Sequence, residues 1–147
     1  MNYIEEEPHY LLDSNIISEI IKPQPNFNVL KKIAEHSSDC AICSPVWEEL
    51  KFGVYIMEDG LNKKYLENFI NEDVHENFKI KNYTEKAADI HAMLRSKLKK
   101  AGKPTQKSDS LIASIALANH MILVTRNTKH FAPIQGVSEL QVENWFE

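Results

Sequence analysis

Two patterns of apolar residues alternate along the chain. Short unbroken runs stand at "YLL" (10–12), "CAIC" (40–43) and "MILVT" (121–125), and between them apolar residues recur every three or four positions. The runs predict buried strands and the periodic stretches predict amphipathic helices. A strand over 10–13 leads into a helix over 15–21, which "KPQPN" breaks before a second helix over 27–36. After the strand 40–43, Ser44 as N-cap and Pro45 in the first turn open a helix over 45–57, and another helical stretch covers 61–71. "FKIKNY" (78–83) alternates as a short strand does. Thr84 caps a long helix over 85–101 that Gly102 and Pro104 close. A helix over 109–119 precedes the strand 121–125, and "ELQVENW" near the end offers an edge strand. Strands separated by helices predict parallel β–α–β units, an α/β protein with helices on both faces of the sheet.

A chain of 147 residues predicts one domain spanning 1–147, with the acidic start 1–9 as a mobile extension. That length buries roughly two thirds of its unfolded surface, so no staples are needed. No apolar run approaches the ~18 residues of a membrane span, and the start has no apolar signal core, so a cytoplasmic location is expected. A net charge of −4 excludes a protein that coats nucleic acid through a generally positive surface. The charge is uneven, however. Six cations and no acid lie between Arg95 and Lys107. They are either a solvated helix end, favoured by the C-terminal dipole, or a phosphate-contacting edge beside a site. Cys40 and Cys43 form C-x-x-C, the spacing of a redox pair. On a strand, residues three apart point to opposite faces, and no further Cys exists to complete a zinc site, so two buried thiols are expected.

Parallel sheets bind ligands at the carboxyl ends of their strands. Asp13, followed by Ser14 and Asn15, sits at such an end, and so does Thr125-Arg126-Asn127. Asp13 is either a helix cap or part of a site. On the helix 45–57 the apolar stripe is Val46, Trp47, Leu50, Val54 and Met57. Glu48 lies opposite it and reads as a surface residue. Glu49 lies on its flank, where it either reaches water or needs a partner. Asp109, in the first turn of the helix whose apolar face is Leu111, Ile112, Ile115 and Ala118, is explained on helix logic by the dipole first and by a site second. Asp89 reads as solvated, His91 as a satisfied core-edge histidine and His130 as a surface histidine. If Asp13, Glu49 and Asp109 converge, two of them about 4 Å apart repel by about 4 kcal/mol at an effective dielectric of about 20, so they call for a cation. An all-oxygen donor set suits Mg²⁺ or Mn²⁺, and such a cage with waters left on the ion is a phosphodiester-cleaving arrangement.

Five stretches then carry a resemblance: "LLDSNIISEIIKPQPN" (11–26), "EELKFG" (48–53), "AGKPTQKSDSLIASIALA" (101–118), "LVTRNTKHF" (123–131) and "ENW" near the end. In this order and combination the chain resembles PIN-domain ribonucleases, specifically the VapC-type toxins of VapBC toxin–antitoxin pairs. The resemblance implies a three-layer α/β/α domain with a central, mainly parallel sheet of four or five strands. It implies Mg²⁺, for which Mn²⁺ substitutes, held by Asp13 and Asp109 with Glu49 completing the cluster, and hydrolysis of RNA, usually structured RNA of the translation apparatus. It also implies a cognate VapB-type antitoxin as partner and commonly a homodimer. Asn15 and Thr125 match residues that orient the site. Family members often carry a fourth acid where this chain has Asn127 and His130, and Asn127 is expected to place the attacking water. The alternative reading is a catalytically weak PIN domain that serves as a regulatory, antitoxin-binding partner. A redox protein using Cys40 and Cys43 stands third.

Overall fold

The apolar runs become a wholly parallel five-stranded sheet in the computed structural model, which describes residues 7–147. The strands are β1 (Tyr10–Leu12), β2 (Cys40–Cys43), β3 (Lys79–Lys81), β4 (Ile122–Val124) and β5 (Val142–Glu143), in the order β3-β2-β1-β4-β5. Leu11, Leu12, Leu123 and Val124 are fully buried, as central strands covered on both faces must be. The chain runs outward from β1 through β2 to β3, then returns to β4 on the other side of β1. The sheet order therefore reverses between β1 and β4, the topological switch point where such sheets open a crevice. The register pairs Tyr10 with Ile122, Leu11 with Leu123 and Leu12 with Val124. One residue further, Asp13 N donates to Val124 O at 2.9 Å. Asp13 and Thr125 thus leave the sheet side by side.

The helices are α1 (Ser14–Ile20), α2 (Phe27–Glu35), α3 (Ser44–Tyr55), α4 (Leu61–Asn68), α5 (His75–Asn77), α6 (Glu85–Lys100), α7 (Lys107–Ala118) and α8 (Thr128–Gln135). Caps fix where several begin. Asn26 accepts from Val29 N at the start of α2, and Thr84 accepts from Ala87 N at the start of α6. The most enclosed helix is α7, where Ser110, residues 112–116 and Ala118 are all buried. Its small residues let it lie against α6 and under β4 with its first turn at the sheet's carboxyl edge. Leu111, expected in its core face, is only half-buried and turns toward a cleft. The helix begins at Lys107, two residues earlier than the pattern suggested.

Two further departures have physical causes. The helix α8 was not expected, because Pro133 stands inside it. Its Phe131 and Ile134 are nevertheless fully buried, one turn apart, and that burial holds a short helix despite the lost backbone donor. The helical stretch expected to end at 71 continues as a π-helical segment, Phe69–Val74, into α5. The wider turn brings Ile70 and Val74 onto the core, whereas α4 itself buries no residue completely.

Both ends of the described residues are tied to the sheet. Trp145 is buried against the edge of Tyr10 (centroids 5.2 Å apart) and stacks on His36 (5.6 Å), while its Nε1 donates to Glu143 Oε2 at 2.9 Å. Of the expected extension 1–9, residues 1–6 lie outside the described residues. Residues 7–9 are fastened: Glu7 pairs with Lys81 at 2.6 Å, and His9 N donates to Asp39 O at 2.9 Å. Cys40 and Cys43 are buried and unbridged, and burial pushes both thiols up to about 12. Neither offers the thiolate that redox chemistry needs, which removes the redox reading. Among the described residues no helix is long and apolar enough to cross a membrane.

Trp145→Ala is expected to cost about 3–5 kcal/mol of stability, the scale of losing a large buried aromatic, as measured by urea unfolding.

Candidate functional site

Asp13 is both cap and cleft wall. Extended at φ −72° and ψ 162°, it precedes α1, and its Oδ1 accepts from Ser14 N at 2.8 Å. Its Oδ2 accepts from Thr125 Oγ1 at 2.8 Å and from Asn15 Nδ2 at 3.4 Å. Asn15 Nδ2 also reaches Thr125 Oγ1 at 3.2 Å, and Asn15 Oδ1 accepts from Arg126 N at 3.1 Å. Thr125 Oγ1 in turn accepts from Asn127 N at 3.1 Å. The amide of Asn15 and the hydroxyl of Thr125 therefore lock the Asp13 carboxylate to both strand ends. Thr125 is fully buried and Asp13 is 6% exposed.

Above this lock opens a cleft of about 510 Å³. Asp13 and Ser14 form its floor, Glu49 on α3 one wall, and Asp109 in the first turn of α7 the other; Asn127 and His130 close the side next to β4. Three carboxylates from three distant chain segments thus face one space. The electrostatics follow. Burial pushes the Glu49 carboxyl up from its ordinary value, the Ser14 hydroxyl opposes this, and the charges of Asp13 and Asp109 push it further up. Burial also raises Asp109, His130 opposes it, and Asp13 adds to the rise. His130 Nδ1 lies 3.8 Å from Asp109 Oδ2, with the Asp109 side chain 17% and the His130 side chain 56% exposed.

All four residues proposed from the sequence, Asp13, Glu49, Asp109 and Asn127, meet at this cleft. Two others meet it that were read as plain surface. Glu48 lines its mouth because the face of α3 turned away from the core forms the cleft's rim instead of open surface. His130 lines it because α8 swings that side chain back toward α7. Gln106 and Ser108, just ahead of Asp109, were passed over; their polar run at the start of α7 was the available signal. Asp89 is exposed, as expected. His91 is buried with both ring nitrogens partnered, by Ser110 Oγ at 2.7 Å and Tyr83 Oη at 3.3 Å.

Among the described residues no three His, Cys, Asp or Glu side chains form a compact cage for a metal ion. Asp13, Glu49 and Asp109 nevertheless offer what a hard cation takes: carboxylate oxygens, mutually repelling, across a cleft with room for water. A hydrated Mg²⁺, held by one or two carboxylates and keeping several waters, fits such an arrangement; a fully dehydrated ion does not. The first turns of α3 and α7 add backbone N–H groups favourable to phosphate.

Comparison with known proteins agrees with this geometry. A family model described as the PIN domain matches residues 10–136. The chain is 32% identical over 124 residues to Toxin FitB of Neisseria gonorrhoeae, covering 82% of this chain and 89% of that protein. It is 32% identical over 139 residues to Ribonuclease VapC2 of Rickettsia felis, covering 92% and 97%. The solved structure of FitAB bound to a DNA fragment superposes with a TM-score of 0.84 at 29% identity, covering 94% of this chain and 96% of that one. With five parallel strands flanked by helices, a cleft at the switch point and this extent of similarity, the chain belongs to the PIN domain family, alongside the VapC and FitB toxins.

Proposed function

We propose that this chain is a divalent-metal-dependent endoribonuclease that hydrolyses RNA phosphodiester bonds as the toxin of a toxin–antitoxin pair. The observation that carries the reading is the convergence of Asp13, Glu49 and Asp109 on one cleft at the carboxyl ends of the central strands. Relatives named as a ribonuclease and as a toxin support it. A protein partner is supported by the FitAB complex, solved on DNA; for this chain the partner is a VapB-type antitoxin. Structured RNA of the translation apparatus is the substrate class.

Asp13 and Asp109 would hold Mg²⁺ (or Mn²⁺), with Glu49 completing the set. When bound, the cation lowers the pKa of a water and neutralises charge on the scissile phosphate. The chain's own groups do the rest. Thr125 and Asn15 fix the Asp13 carboxylate, so it needs no reorganisation when substrate arrives. The Asn127 amide orients the attacking water.

One observation favours a weaker catalyst that acts mainly by binding its antitoxin: Asn127 brings an amide to the cleft where the resemblance implies an acid. An amide orients but adds no charge, so a second cation is less well held.

Incubation with total tRNA and ribosomal RNA tests the reading. Discrete fragments are expected with Mg²⁺ or Mn²⁺ and none with EDTA. Asp109→Asn is expected to lower the rate by about 100-fold or more, the scale of losing a group that acts on transition-state charge, without unfolding the chain. Full metal-dependent activity in that variant overturns the assignment.

A second expectation concerns pH. A carboxyl whose pKa is raised by folding destabilises the folded state once ionised. The penalty is absent below the ordinary carboxyl range and complete above the raised folded value. In EDTA, Asp109→Asn should therefore melt above the parent protein near neutral pH, and the gap should close on acidification toward about pH 4. A gap that persists in acid contradicts the electrostatic cause.

A further inference from the structure

Three hollows join along the surface. The catalytic cleft shares Pro45, Glu48 and Leu111 with a second hollow that contains Tyr83, His91 and Lys107. That hollow shares Lys107 with a third, walled by Arg95, Lys99 and Lys103 around the turn after α6. A single groove therefore leads from three carboxylates to a cluster of cations. Among the described residues, no ion pair joins Arg95, Lys99, Lys103 or Lys107 to an acid, and no acid lies between Arg95 and Lys107 in the chain. Among the described residues these cations thus stand without an ion-pair partner, in a protein of net charge −4. Where their charge is felt, it acts as a positive field: after burial, Arg95 and Lys107 are what push His91 down.

Midway along the groove stands an aromatic ring held in place. Tyr83 is 43% exposed, with its ring edge-on to His91 at 6.1 Å between centroids. The proton assignments follow from the partners. Ser110 Oγ donates its only proton to Lys107 O at 3.1 Å, so His91 Nε2, 2.7 Å away, donates to Ser110 Oγ. His91 Nδ1 is then left as the acceptor for the Tyr83 hydroxyl at 3.3 Å. Tyr83 N also donates to Ser44 Oγ at 3.3 Å. The residue next to Asp109 thus anchors, through His91, a ring that projects into the groove.

We infer that this groove is the substrate track, and that it takes an unpaired RNA segment, with a base stacked on Tyr83 and the following phosphates on Lys107, Lys99, Lys103 and Arg95. The inference rests on the nuclease reading above and specifies its substrate. Fixed aromatic rings beside cations are how proteins hold single strands without reading their sequence, whereas a duplex keeps its base faces hidden. Glu48, the one acid on the route, meets the strand between cleft and ring, where it accepts a hydrogen bond from a ribose 2′-hydroxyl and repels a phosphate.

Binding of an unstructured RNA oligonucleotide and of an RNA duplex of equal length is measured by fluorescence anisotropy, in EDTA, across salt concentrations. Lys99→Ala/Lys103→Ala is expected to weaken single-strand binding about tenfold and to reduce the salt slope by about 1.4, two phosphate contacts at about 0.7 each. Tyr83→Ala is expected to weaken single-strand binding about tenfold while Tyr83→Phe keeps it, and neither should alter duplex binding. Lys31→Ala/Lys32→Ala on α2, matched in charge, should leave affinity unchanged. Unchanged single-strand affinity in the double-lysine variant or in Tyr83→Ala overturns the track, as does a duplex that binds as tightly as the single strand. Cleavage by the parent protein is scored separately. Binding losses as expected with no cleavage under Mg²⁺ leave the track standing and remove the nuclease reading; cleavage with unchanged binding does the reverse.

Discussion

The hydrogen bond from Thr125 Oγ1 to Asp13 Oδ2 spans 112 residues of sequence and joins the ends of the two central strands at 2.8 Å. It is a buried bond to a charged acceptor, a class worth about 1.5–3 kcal/mol. Everything at the cleft is referred to it. The β1–β4 register puts the two residues abreast, and the reversal of sheet order leaves nothing above them. Asn15 and the backbone of residues 126–127 complete the lock. A carboxylate fixed in this way serves as a stationary charge against which the others are arranged.

The others are arranged unfavourably, and this gives the site its character. Glu49 and Asp109 approach Asp13 from different helices; burial pushes both up, Asp13 adds to each, and Asp109 adds further to Glu49. The fold tolerates this because the sheet, the buried face of α7 and the Trp145 contact near the C-terminus hold the walls in place by apolar packing. Repulsion that stability alone would remove is retained where a cation can resolve it. The same contrast extends across the surface, since carboxylates occupy one end of the groove and a cluster of cations the other. On the proposed reading, a polyanion would be drawn by one end and would need a cation at the other.

Much of this was legible in the chain. Asp13 stood at the end of an apolar run, where a charge has no reason to be unless the strand ends there. Glu49 lay at the flank of its helical stripe, neither core nor open surface, and Asp109 stood in the first turn of its helix. Glu48 was misread because a helical wheel distinguishes only core from solvent, while α3 has a third direction that faces the cleft. His130 was misread with α8 itself: Pro133 argues against a helix locally, and only the tertiary burial of Phe131 and Ile134 overrides it. The π-helical turn at 69–74 has no periodic signature of its own. The Asp13–Thr125–Asn15 lock was foreseen only as a resemblance, since no local pattern links residues so far apart. The joining of Tyr83, His91 and Ser110 depends in the same way on how α6 and α7 pack.

On the proposed function, a divalent cation in the cleft resolves the repulsion among these three carboxylates. Thermal unfolding with and without Mg²⁺ tests it most directly, because the readout is independent of any RNA. Mg²⁺ in excess over its dissociation constant, by about 100-fold, should stabilise the parent protein by about 2.7 kcal/mol, a rise of several degrees in Tm, and should leave Asp109→Asn nearly unmoved. An equal response in both proteins, or none in the parent, would contradict it.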